Sequence, residues 1–154
     1  MKQEIIIRRA NLHDVEQLLQ FEQGVISAER PFEPMLKEEG VRYYDIRKMM
    51  TDPQVDWVVA GQGGTLLACG FARIEAAKPY LKHQQHAYLG LMYVHPDYRG
   101  KGINGLIIKE LKKLVQARGV KEMRLEVYAQ NHSAIKAYEK EGFTSHIIQM
   151  RMSL

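Results

Sequence analysis

The segment Val94-His95-Pro96-Asp97-Tyr98-Arg99-Gly100-Lys101-Gly102-Ile103-Asn104-Gly105 constrains this chain more than any other. A glycine-rich turn carrying Arg99 and Lys101 runs straight into a stretch where Ile103, Ile107, Leu111, Leu114 and Val115 recur at helical spacing. The first N–H groups of a helix lack intrahelical partners, and glycine lets an anion approach them where a Cβ would stand in the way. The pattern reads as a phosphate site at a helix start. It is not a P-loop, because G-x-x-x-x-G-K-[ST] does not occur. Taken literally, Gly100 to Gly105 fits the G-x-G-x-x-G dinucleotide pattern, with Glu126 about 20 residues on. The polar run His95 to Arg99 and the short chain that follows suit two successive βαβ halves poorly. An ordinary loop and helix cap also fits the segment when it is read alone.

A second block lies downstream. Asn131-His-Ser-Ala134-Ile-Lys-Ala-Tyr138-Glu-Lys-Glu-Gly142-Phe143 follows Leu125-Glu126-Val127, and Ile7-Arg8-x-Ala10-x-x-x-Asp14 opens the chain. In chain order these pieces, with the glycine turn between the first and the last two, resemble the GNAT superfamily of acetyl-CoA-dependent N-acetyltransferases. Its N-x-x-A-x-x-x-Y-x-x-x-G-F element matches Asn131 to Phe143, and its [Q/R]-x-x-G-x-[G/A] motif becomes Arg99-x-x-Gly102-x-Asn104. Asn104 stands where a small residue is usual, with Gly105 directly after it. The resemblance covers nearly the whole chain and implies one N-acetyltransferase domain over residues 1–154. It also implies a mixed, mostly antiparallel α/β (α+β) sheet with helices on both faces and a splayed strand pair for acetyl-CoA.

The coarse pattern along the chain agrees. Glu4 to Arg9 reads as a strand, and Asn11 can N-cap a helix ending near Gly24. A loop follows, then a short helix over Glu39 to Met50 stopped by Asp52-Pro53. Val55 to Ala60 and Thr65 to Glu75 read as an antiparallel hairpin through Gly61-Gln-Gly-Gly64. His86 to Val94 is the next strand, and the helix after the glycine turn closes at Gly119. Met123 to Ala129 reads as a strand, Ser133 to Glu141 as a helix, and Thr144 to Met152 as a last strand.

Composition narrows the classes. At 154 residues and 45% hydrophobic content, the chain is long enough to bury its own core. No apolar run is long enough to span a bilayer, and Met1-Lys2-Gln3-Glu4-Ile5 lacks the apolar region of a signal peptide, so a cytoplasmic location and no membrane partner are expected. A lone cysteine, Cys69, leaves no internal disulfide and no cysteine-rich metal cluster. The net charge of +4 raises nucleic acid as a partner, but Lys109, Lys112, Lys113, Arg118 and Lys121 fall mostly on one polar helix side without aromatic residues between them. A solvated helix face explains them, and no nucleic acid is expected. A sheet edge or last strand can also pair with a second copy, which would give a homodimer.

The resemblance implies roles for particular residues. The main chain of Met92, Tyr93 and Val94 would hold the pantetheine arm and acetyl group. The turn of Arg99, Gly100, Lys101, Gly102, Ile103, Asn104 and Gly105 would hold the pyrophosphate, and Asn131 would bond the cofactor arm from the other side. The chemistry asks for a neutral amine, a donor to the developing oxyanion, and a proton for the departing thiolate. A backbone N–H near Met92 would supply the second and Tyr138 the third. Glu126 matches the general-base position of the N-terminal-alanine acetyltransferases of ribosomal proteins, with His86, Tyr88 and Glu75 as other base candidates. Cys69 in Leu66-Leu67-Ala68-Cys69-Gly70 reads as a small apolar filler rather than a nucleophile, which favours direct transfer. The acceptor stays open. Ser27 to Tyr44 and Ala76 to Gln85 would shape its pocket, with Arg30, Phe32, Tyr43 and Tyr44 as lining candidates, and Lys78, Lys82 and His83 suit a carboxylate or phosphate. A CoA-binding sensor on the same fold, without efficient transfer, is the alternative.

Overall fold

The computed structural model describes residues 3–154, so Met1 and Lys2 of the N-terminal stretch lie outside it. Five strands, β1 (Ile6–Arg9), β2 (Val55–Gln62), β3 (Thr65–Ala76), β4 (Gln85–Val94) and β5 (Met123–Arg124), lie side by side in chain order. The first three pairings are antiparallel and β4 pairs β5 in parallel, the mixed sheet expected from the sequence. The β2–β3 hairpin turns at Gly63 and Gly64, whose φ values of 59° and 82° are the left-handed pair that a two-residue hairpin requires.

Alternation along the strands decides which helix covers which face. Trp57, Val59, Cys69 and Phe71 look toward helix α1 (Val15–Glu29) and the short helix α2 (Ile46–Met50), packing on Val15, Leu18, Phe21 and Ile46. Val58, Ala60, Ala68 and Ala72 look the other way, onto Ile103, Ile107, Leu111 and Val115 of α3 (Ile103–Ala117). Each of these buried Ile and Leu side chains contributes roughly 1.5–3 kcal/mol. Helix α4 (His132–Lys140) follows β5.

Three sequence expectations change. Helix α1 does not end near Gly24 but runs to Glu29. The glycine is there because the Tyr93 ring packs against it: a Cβ at Gly24 would sit 2.6 Å from the Tyr93 ring. The second helix is confined to Ile46–Met50, N-capped by the Asp45 side chain, because Tyr43 and Tyr44 give their N–H groups to the buried Glu22 carboxylate at 3.2 and 3.0 Å instead of to a helix. Glu22 thereby holds the residues before α2 against α1.

The third change concerns the C-terminal end. β5 pairs with β4 only at Met123 and Arg124, and Leu125 to Ala129 leave the ladder. Thr144 to Met152 forms no strand among the described residues, and Ile147, Ile148, Met150 and Met152 are exposed. A strand needs a neighbour to satisfy its N–H and C=O groups, and the receding β5 segment does not offer one.

Two buried carboxylates tie the outer elements to the sheet. Asp56 accepts from Arg118 at 2.8 Å and Arg9 at 3.2 Å, joining the end of α3 to β1 and β2. Asp14 takes both guanidinium nitrogens of Arg8 at 2.8 Å and the Asn11 N–H at 2.8 Å, closing a capping box at the entry to α1. The Arg8 hydrogen bonds hold the Asp14 carboxyl below its ordinary value of 3.8 against the opposing effect of burial. A depressed carboxylate contributes stability that is complete above the unfolded value and lost as pH falls through the folded one. Urea midpoints at about pH 5 and about pH 2 should therefore fall further for the wild type than for Asp14→Asn. An equal drop in both proteins would remove Asp14 from the acid-sensitive groups.

Candidate active site

The site begins with one surplus residue. β3 and β4 pair Cys69 with Tyr93 and Phe71 with Gly90, so Gly70 alone faces both Leu91 and Met92. This is a β-bulge, and Leu91 carries the strain with φ of 46°, the one positive φ at a non-glycine among the described residues. The bulge bends β4 just past the last residue it shares with β5, Tyr88. Beyond it the two strands part, and the β4 main-chain groups that face away from β3 have no strand partner among the described residues.

The parting opens a cavity of about 380 Å³ between Leu89, Gly90, Leu91 and Met92 on one side and Leu125, Glu126, Val127 and Tyr128 on the other. Tyr138 of α4 closes part of it, and Glu29 at the end of α1 and Glu33 just beyond it, with Tyr43, Tyr44 and Tyr88, form the remaining polar wall. Burial pushes the Tyr138 phenol up to about 12, so it is neutral over the working range. Burial likewise raises Tyr88 and Tyr44 and lifts the Glu29 carboxyl above its usual range.

Below the end of β4 lies the glycine turn. Gly100 and Gly102 have φ of 75° and 79°, and a Cβ at either would meet nothing; the backbone conformation, not space, selects glycine. Gly102 is the N-cap of α3 and offers no side chain, so no side-chain cap occupies the first N–H groups of the helix. Arg99 donates from Nε to the Val94 carbonyl at 3.0 Å, and its guanidinium lies 5.9 Å from the Tyr93 ring centre. Lys101 lies over Tyr98 at 5.2 Å. Neither cation has a carboxylate partner among the described residues, so both are available to an anion.

A strand pair that parts above an uncapped helix start is the arrangement expected for a CoA-type ligand, and comparison with known proteins agrees. The family model described as "Acetyltransferase (GNAT) family" matches residues 15–143. The chain belongs to the GNAT acetyltransferase family. An "Acetyltransferase" of Yersinia pestis (strain Pestoides F) is 34% identical over 94 residues, 61% of this chain and 60% of that protein. The matched region thus spans about 60% of that relative's length. Among solved structures, a tetramutant of the BH1408 protein from Bacillus halodurans superimposes with a TM-score of 0.83 at 19% identity, over 97% of this chain and 99% of that one. A "predicted acetyltransferase with acetyl-CoA" from Clostridium acetobutylicum does so at 0.73 and 16% identity, over 97% of this chain and 96% of that one. Both show the GNAT fold.

Within that GNAT fold, Met92, Glu126 and Tyr138 meet in one cavity, and Arg99 to Gly105 form the turn at the α3 start. Tyr93 and Val94 pair with Cys69 and Ala68 along one edge of β4, with their other edge open past the bulge. Asn131 is the N-cap of α4: its side-chain oxygen accepts from Ala134 N at 3.3 Å, which leaves its amide NH2 for another partner. Of the other base candidates, Tyr88 lines the cavity. His86 and Glu75 do not; they lie 3.4 Å from each other, and Arg73 binds Glu75 at 2.8 Å.

Of the acceptor candidates, Tyr43 and Tyr44 line the cavity, whereas Arg30 bonds the Lys37 and Glu38 carbonyls and Phe32 stacks beside Tyr128. Lys78, Lys82 and His83 are absent from the cavity wall. Glu29 and Glu33 fall within the Ser27 to Tyr44 segment expected to shape the pocket without being singled out there, whereas Val25, Leu89, Gly90, Leu91, Tyr128 and Gln149 are wall residues to which the sequence reading gave no role. Recognising that α1 continues through Gly24 would have put Glu29 on its last turn.

Cys69 is fully buried, its Sγ donates to the Leu91 carbonyl at 3.3 Å, and burial drives its thiol well above the ordinary range. It should stay unreactive toward a chromogenic disulfide reagent in the native protein and release one equivalent after denaturation. Rapid native labelling would contradict this and would reopen a covalent acyl-cysteine route.

Proposed function

We propose that this chain, as a single domain over residues 1–154, transfers the acetyl group of acetyl-CoA directly to a primary amine of a small molecule or peptide. The observation that carries the proposal is the pairing of two features on one strand: β4 parts from β5 to open a cavity at Met92, and the chain beyond its end forms the uncapped, glycine-rich start of α3. The α3 N–H groups, Arg99 and Lys101 take the pyrophosphate, and the main chain from Met92 to Val94 takes the pantetheine arm with the NH2 of Asn131 opposite it. The family match and the acetyl-CoA carried by the Clostridium acetobutylicum structure support this reading.

In the reaction, an acceptor ammonium first loses a proton, with Glu126 as base directly or through water. The amine nitrogen attacks the thioester carbon, and the carbonyl oxygen becomes an oxyanion stabilised by a β4 backbone N–H near Met92. As the new C–N bond completes, the C–S bond breaks and the sulfur takes the electron pair. The oxyanion re-forms the carbonyl, Tyr138, held neutral by its surroundings, gives its proton to that sulfur, and the proton shed by the new amide nitrogen passes through water back to Tyr138. The buried Cys69 takes no part.

Acceptor-dependent thiol release from acetyl-CoA tests the proposal. Tyr138→Phe should lower kcat on the order of 10²-fold while CoA binding by calorimetry is retained. Because burial pushes the Tyr138 phenol up to about 12, kcat/KM should rise with pH as the amine deprotonates, with no falling alkaline limb assignable to Tyr138. Arg99→Ala should weaken CoA about tenfold, roughly 1.4 kcal/mol. Tight CoA binding with no release from any amine would favour the sensor reading, and no CoA binding would overturn both.

A further inference from the structure

The chain carries 22 Lys and Arg against 18 Asp and Glu, yet the cavity wall is of the opposite sign. Among the described residues its charged members are Glu29, Glu33 and Glu126, with no Lys, Arg or His in the wall. Glu33 is partly engaged, accepting from Arg151 at 2.9 Å and from the Met35 N–H at 3.0 Å. Glu29 and Glu126 have no cationic partner among the described residues. Beside Glu29, the Tyr43 hydroxyl is buried, and burial and then the neighbouring Glu29 carboxylate raise its phenol, while Tyr88 and Tyr128 add aromatic faces to the wall.

A single amine does not account for this wall. The nitrogen that attacks the thioester must be neutral, and one carboxylate, Glu126, suffices to accept its proton. Glu29, the last residue of α1, and Glu33, just after it, stand in the same wall as Glu126 and are left over. Half-buried carboxylates beside aromatic faces suit a cation that keeps its charge, through ion pairing and cation–π contact. Resting on the acetyl-transfer reading above, we propose that the acceptor is an aliphatic di- or polyamine, its reacting nitrogen next to Glu126 and its second ammonium held by Glu29, Glu33 and Tyr43. Glu29 is then a specificity-determining residue, and the burial that lifts its carboxyl is offset by the charge of the ammonium beside it.

Thiol release at saturating acetyl-CoA, with spermidine, butylamine and glutamate as acceptors, tests the assignment. Spermidine should exceed butylamine in kcat/KM by at least about tenfold, with glutamate the poorest. Glu29→Gln should bring the spermidine-to-butylamine ratio toward unity, chiefly through KM for spermidine, and Glu29→Asp should restore part of it. A loss shared equally by both amines would signal a merely structural role and overturn the proposal. Turnover with butylamine as efficient as with spermidine, or with glutamate preferred, would overturn the polyamine assignment while acetyl transfer stands. If no amine releases thiol, calorimetry of spermidine into the protein–CoA complex decides. Binding weakened by Glu29→Gln would uphold the cation site and remove the transfer reading, whereas no binding would overturn the cation site.

Discussion

β4 has one residue too many for its partner β3, and the site is built on that mismatch. With Gly70 opposite both Leu91 and Met92, the ladder cannot stay in register, and Leu91 accepts a left-handed backbone that an aliphatic side chain seldom adopts. The strain sits where β4 would otherwise continue alongside β5. A continuous parallel pair would satisfy its own N–H and C=O groups and leave nothing for a ligand. The parted pair leaves main-chain donors and acceptors facing a cavity, which suits an extended arm bearing amides.

The surrounding elements make this opening tolerable. Phe21 stacks on Tyr93 at 4.6 Å, and the side-chain-free surface of Gly24 lets that ring reach the helix, so α1 braces β4 beyond the bulge. Cys69 bonds the carbonyl of the strained Leu91 from the neighbouring strand. On the opposite face α3 packs Ile103 and Ile107 against the sheet, fixing its N-terminus below the end of β4. Glu22 holds the backbone at Tyr43 and Tyr44, which carries those phenols to the cavity wall. The start of α3 is thus basic and glycine-rich, and the cavity wall acidic and aromatic.

Much of this was legible in the residues. The Arg99 to Gly105 turn, the α3 stripe, the Gly63-Gly64 hairpin and the Asn131 to Phe143 block are local patterns, and they form the elements that their spacing demands. What stayed hidden depends on contacts between distant residues. Gly24 looks like a helix end until Tyr93, far along the chain, is seen against it. Met123 to Ala129 reads as a strand, but only two of its residues keep a partner, because the β4 bulge is invisible to strand propensity. Thr144 to Met152 has an alternating pattern and lacks a strand neighbour among the described residues. Arg118 reads as part of a solvated basic face and instead pairs with the buried Asp56. Glu29 and Glu33 follow no motif; they matter through the wall they share with Tyr43 and Glu126.

The most direct test is an amide chemical-shift titration of the isotope-labelled protein with CoA. The largest changes are expected at two sites together, Met92 to Val94 along the open edge of β4 and Ile103 to Gly105 at the start of α3, with Leu125 to Tyr128 affected next. Changes confined to other surfaces, or at the α3 start with the β4 edge silent, would contradict an account in which the bulged, parted strands hold the cofactor arm.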